Sequence, residues 1–130
     1  MSRSGYDDEC DGWALIRWRG AVAQAIHGRR GQTFLREMLT ALDAMEPKRL
    51  ITEELKNDIG VCAIGAVGAA RGLDMAGIDP YCREQVAETF GIAPAMAAEI
   101  VFINDDAWHR ETPESRYTRM RGWVASQISG

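Results

Sequence analysis

From Ile59 to Gly72 the chain reads Ile-Gly-Val-Cys-Ala-Ile-Gly-Ala-Val-Gly-Ala-Ala-Arg-Gly, and its middle, Val61 to Ala70, carries no charge and little bulk. Small apolar side chains let neighbouring backbones approach closely, so this stretch is expected to be a central buried helix entered from a short strand. Glycine disfavours a helix by about 1 kcal/mol relative to alanine. Gly65 and Gly68 therefore need a reason, and close packing by a neighbouring helix is the expected one. Gly72 reads as the C-terminal stop. The apolar run is too short to span a bilayer. Its glycines match neither G-x-x-x-x-G-K-[ST] nor G-x-G-x-x-G, so no phosphate loop is implied.

The remaining segments arrange themselves around that helix. A helix is expected from about Gly12 to His27, with one apolar stripe of Leu15, Trp18, Val22 and Ile26. A second stripe of Trp13, Ile16, Gly20 and Ala23 implies that much of its circumference is covered. Gly28-Arg29-Arg30-Gly31 is expected to break the chain before a second helix from Gln32 to Met45, which carries Leu35, Met38, Leu39, Leu42 and Met45 on one face. Pro47 ends it. Leu50–Leu55 and Gly60–Cys62 read as a short hairpin turned at Lys56-Asn57-Asp58. Further helices are expected from Asp79-Pro80 to Phe90, from Ala93-Pro94 to Asn104, and from Thr112-Pro113 onward, the last with Thr as cap and Pro in its first turn. Tyr117, Met120, Val124 and Ile128 should face inward there. The expected fold is mainly α, at most α+β. It is one compact bundle of about five to six helices, with a short β-hairpin at most around residues 50–62. Residues 1–11 read as a flexible acidic arm and 12–130 as the single helical domain.

A chain of 130 residues with 26% charged and 46% hydrophobic residues is long enough to bury one core and too apolar for disorder. Its formal charge of −4 argues against a general nucleic-acid binder. Charge is uneven, however: residues 13–50 hold seven Lys/Arg against three Asp/Glu. Cys10, Cys62 and Cys82 form no C-x-x-C pair, and His27 and His109 lie far apart, so neither a zinc site nor a disulfide framework is expected. Residues 1–12 lack the apolar region of a signal peptide. The chain is therefore expected to be cytoplasmic, without cofactor, metal or membrane partner.

The spacing of Val86, Ala87, Phe90, Gly91, Ile92, Ala97 and Ile100 is that of a helix-turn-helix. The second helix, Pro94-Ala95-Met96-Ala97-Ala98-Glu99-Ile100, offers no Arg, Lys, Asn or Gln to a base edge, so a structural corner is the expectation. Asp7, Glu9, Asp11 and Gly12 resemble half of a calcium loop, but Trp18 stands where its closing Glu belongs. Asp105, Asp106, His109 and Glu111 could approach a metal, yet solvated loop charge is the plainer account. Cys62 and His27 could pair across the fold, but a thiol in apolar surroundings is inert. No catalytic constellation emerges, and no enzyme is expected. The one basic-aromatic concentration is Arg17, Arg19, Arg29, Arg30 and Arg36, with Trp13 and Trp18 nearby. It is the candidate binding patch, Arg and Trp being enriched at interface hot spots.

Several segments carry a likeness. They are Trp18-Arg19-Gly20-Ala21-Val22, Arg30-Gly31-Gln32 running into Phe34-Leu35, Ala41-Leu42-Asp43-Ala44, Val61 to Gly68, Phe90-Gly91-Ile92-Ala93, Glu99-Ile100 and Glu111-Thr112-Pro113-Glu114. Through them the chain resembles small uncharacterised accessory proteins of tailed bacteriophages and prophages. These are packing and turn motifs, so the resemblance transfers no catalytic residue. It implies an accessory protein in the cytoplasm of a bacterial host that binds a host protein stoichiometrically, for example to inhibit an antiviral defence system such as CRISPR-Cas. The alternative is a regulatory nucleic-acid binder that uses the basic region of the first two helices.

Overall fold

The computed structural model describes residues 12–105 and 111–129, and the expected N-terminal arm lies outside them. Six helices are present among the described residues: α1 (Gly12–His27), α2 (Arg29–Ala44), α3 (Ala63–Arg71), α4 (Arg83–Phe90), α5 (Pro94–Asp105) and α6 (Pro113–Gln127). Helices α1, α3 and α6 each pack against both α2 and α5, and α4 packs on α5. The core lies between these two organising helices. It is filled by Leu35, Met38 and Leu42 from α2, Ile64 and Val67 from α3, Val86 from α4, Met96 and Ile100 from α5, and Met120 and Val124 from α6. The mainly α single bundle expected from the sequence is the observed fold.

Helix boundaries differ from expectation where local hydrogen bonds decide. α2 starts at Arg29 rather than Gln32, because Gly28 alone supplies the extended N-cap residue and its carbonyl accepts from Gln32 N. Gly31 is not a breaker. A Cβ there would sit 1.9 Å from Ala25 O, so glycine lets the first turn of α2 close on the last turn of α1. α4 starts at Arg83 rather than at Asp79-Pro80, since the Asp79 carboxylate accepts from Tyr81 N at 2.9 Å and folds a turn instead of capping. Gly72 and Gly91 end α3 and α4 in the left-handed region, as their sequence positions imply. Thr112 caps α6 by accepting from Ser115 N.

The expected hairpin is reduced to one antiparallel bridge between Lys56 and Val61. Leu50 and Ile51 are both buried, which a strand with alternating faces cannot achieve against a single core. The backbone of Leu50 is turned to α6 instead: its N–H donates to Pro113 O, and its carbonyl accepts from Arg116. Asn104, 1% exposed, holds this connection to the bundle. Its amide donates to Ile51 O at 2.9 Å and accepts from Ala63 N at 3.1 Å. Beside it, the C-terminal carbonyls of α5 at Ile103 and Asn104 accept from Arg119, a cation placed where the helix dipole favours one. Arg119 also forks onto Glu111, and those hydrogen bonds hold the Glu111 carboxyl below its usual value of 4.5. The contribution of this pair is present above that pH and is lost as the pH falls through the lowered value.

Cys62 to Gly68 are buried, while Ala69 and Ala70 are exposed. The two glycines are approached closely, though by irregular chain rather than by a neighbouring helix. A Cβ on Gly65 would lie 1.8 Å from Leu55 O, and one on Gly68 would lie 2.3 Å from Met75 Sδ. Loop backbone cannot yield as a methionine tip can. Gly65→Ala is therefore expected to destabilise by roughly 1–3 kcal/mol and Gly68→Ala by less. Gly122→Ala, at a helical site with nothing within 4 Å, should stabilise by about 0.5–1 kcal/mol. Urea denaturation of the three variants checks this order, and equal effects at Gly65 and Gly122 would contradict it.

Candidate binding surface

Amphipathic helices bury one face, and α1 divides at Trp18, Val22, Ala25 and Ile26, which turn inward. Trp18 also stacks under the Arg83 guanidinium, 4.8 Å from its ring centre, joining α1 to α4. The second stripe expected to be covered is not. Trp13 is 72% exposed and Ile16 62%, and Gly20 and Ala23 are open as well. At 100° per residue, Arg17, Gln24 and His27 fall on the same open face. The cause is simple: among the described residues α1 rests mainly on α2 and α5, with Arg83 of α4 over Trp18, and these lie on one side of it.

The arginines of the sequence patch fall in three places. Arg17 and Arg19 are exposed along α1. Arg36 is exposed but tied by its Nη2 to Ser129 O at 2.8 Å. Arg29 and Arg30 occupy the first turn of α2, not the turn between two glycines that the sequence suggests, and both line a groove of about 430 Å³. Successive turns of α2 carry Thr33, Phe34 and Glu37 into its wall, and Phe90 and Gly91 at the end of α4 form the opposite side. Phe34 and Phe90 meet edge to face at 6.2 Å and are both nearly fully buried.

Arg71, which the sequence reading placed only at the end of a helix, is the residue that completes the groove. Its guanidinium lies 5.7 Å and 5.8 Å from the centres of Phe34 and Phe90, and it forks onto Glu37 at 2.7 Å and 2.6 Å. Its Nη1 donates to Phe90 O, one of the carbonyls left without a partner at the end of α4. The hydrogen bonds from Arg71 hold the Glu37 carboxyl below, and those to Glu37 hold Arg71 above, their ordinary values. Arg71 is thus fixed and neutralised by its own chain. Arg29 and Arg30 have no ion-pair partner among the described residues.

The other chemistry-bearing residues resolve into structural contacts. Asp105 accepts from Tyr81 Oη at 2.7 Å, from Asn104 and from Glu53 N. Glu111 is held by Arg119 and Arg116, while Asp106 and His109 lie outside the described residues. No group of three His, Cys, Asp or Glu among the described residues could hold a metal. His27 is exposed at the end of α1, whereas Cys62 is buried with its Sγ accepting from Gly65 N, so the two are not brought together. In the helix-turn-helix-like unit, α4 and α5 meet at 108°, and Met96, Ala97, Ala98, Ile100 and Val101 on α5 are buried. The helix that would read a groove is core. No single helix among the described residues is long and apolar enough to cross a membrane.

Compared with known proteins, the chain matches no family model, no curated protein and no solved structure.

Burial pushes the Cys62 thiol up to about 12, so almost no thiolate is present at neutral pH. Iodoacetamide is expected to label the exposed Cys82 in the native protein and Cys62 only at the rate of unfolding. Peptide mapping of the labelled chain checks this. Rapid native labelling of Cys62 would show that the α3 N-terminus opens far more readily than its packing implies.

Proposed function

We propose that this protein acts by stoichiometric association with another protein, engaged through the open face of α1. The observation that carries the reading is Trp13 and Ile16, large apolar side chains left largely exposed one turn apart beside Arg17, on a helix that buries Val22 and Ile26 on its other face. Tryptophan and arginine are the residue types that dominate interface energies, because each combines a broad contact surface with directional hydrogen bonding. The likeness to phage and prophage accessory proteins supplies the setting. The partner is then a protein of the bacterial host cytoplasm, such as a component of an antiviral defence system, and the mechanism is occlusion rather than chemistry.

Binding to nucleic acid through the basic region is the competing reading, supported by the exposure of Arg17, Arg19, Arg29 and Arg30. Against it stand the net charge of −4 and the burial of α5.

Affinity capture from host lysate with the full chain, with and without nuclease, separates the two. A partner retained in stoichiometric amount after nuclease is expected. A Trp13→Ala, Ile16→Ala double variant, whose melting temperature should stay close to that of the parent, is expected to weaken capture more than about tenfold. Capture lost on nuclease treatment, or unaffected by the double variant, would overturn the proposal.

A further inference from the structure

The groove at the start of α2 is chemically distinct from the α1 face. Among the described residues, Arg71 is paired with a carboxylate of its own chain, whereas the two outer arginines have no ion-pair partner. The same groove therefore contains a worked example of what its open arginines can accept. Glu37 meets Arg71 through two parallel N–H···O bonds, with the guanidinium resting on aromatic rings. Such forked pairs are among the strongest and most directional polar contacts available to a side chain.

Resting on the protein-binding reading above, we propose that this groove receives a short acidic segment of the partner protein, with neighbouring carboxylates pairing with Arg29 and Arg30. Three observations select carboxylates over a phosphate backbone. Of the described residues that line the groove, two arginines are without an ion-pair partner, fewer than the run of contacts that a polyanion recruits along its length. The third arginine of the groove is already occupied by Glu37, so an extended polyanion gains no further open cation from it. The protein as a whole is acidic, which repels a long polyanion but leaves a local pair of carboxylates almost unaffected at the screening length of physiological salt. The rigid wall of Phe34, Phe90 and Arg71 is already in place, so binding has little to reorganise on this side.

Fluorescence anisotropy on the full chain tests this with three labelled probes: a peptide with an Asp-Glu-Asp centre flanked by Gly and Ser, its Asn-Gln-Asn counterpart, and a single-stranded oligothymidylate. Saturable one-to-one binding of the acidic peptide by about 1 mM is expected, with none of the neutral peptide. Arg29→Gln with Arg30→Gln should weaken it at least about tenfold. Arg29→Lys with Arg30→Lys should fall between, since a lysine keeps the charge without the fork. Unchanged helicity and melting temperature in both variants confirm that folding is not the cause. Failure of the acidic peptide to bind the parent chain would overturn the proposal. So would tighter binding of the oligothymidylate that weakens steeply with salt. Either result leaves the α1 reading standing if lysate capture still depends on Trp13 and Ile16.

Discussion

The side-chain amide of Asn104 is the most buried of the links between the irregular part of this chain and its helices. Asn104, on the last turn of α5, donates to Ile51 and accepts from Ala63, so it links the long connection after α2 to the first turn of α3. That connection has only one bridge of its own, between Lys56 and Val61, and buries Leu50, Ile51 and Leu55. A buried amide left unpaired would cost about 1–3 kcal/mol, so its partners hold their positions. Next to it, Cys62 N donates to Leu55 O at 3.1 Å, which brings that carbonyl against Gly65. Asp105 extends the same network to Tyr81 and Glu53, drawing in the segment before α4.

α5 is therefore packed on most sides, with a half-buried strip at Ala95, Glu99, Phe102 and Ile103. It touches α1, α3, α4 and α6, and its C-terminal carbonyls are taken by Arg119. The second helix of the unit with helix-turn-helix spacing is mostly core, and it carries no Arg or Lys to meet a nucleic acid. The binding proposed above would use surfaces that this packing leaves open, and there are two candidates. One is the apolar and basic face of α1. The other is the groove in which α2 presents two arginines beside a third already paired.

Much of this fold was legible because local rules and packing agree. Thr112-Pro113 starts α6, Gly72 and Gly91 end α3 and α4, and the Leu35, Met38, Leu42 stripe of α2 is the one that is buried. The failures arise where the decision is not local. Periodicity gave α1 two apolar stripes and could not say that only one would meet a neighbour. Gly31 resembled a turn residue because its close approach to Ala25 depends on the angle between two helices. Nothing near Arg71 announces Glu37, 34 residues earlier in the chain, and Asn104 reads only as the end of a helix because its partners lie 41 and 53 residues away. Arg29 and Arg30 were readable as a candidate from charge alone. Their groove was not.

Native-state hydrogen exchange of the free protein tests most directly the claim that α5 is core and that recognition belongs elsewhere. The amides of Ala97 to Val101 should exchange only through global unfolding, with the same denaturant dependence as the whole molecule. Those at the start of α1, around Ile16 and Arg17, should exchange through local opening. Fast exchange along α5 with protection along α1 would contradict the account and return the helix-turn-helix-like unit to consideration as the working surface.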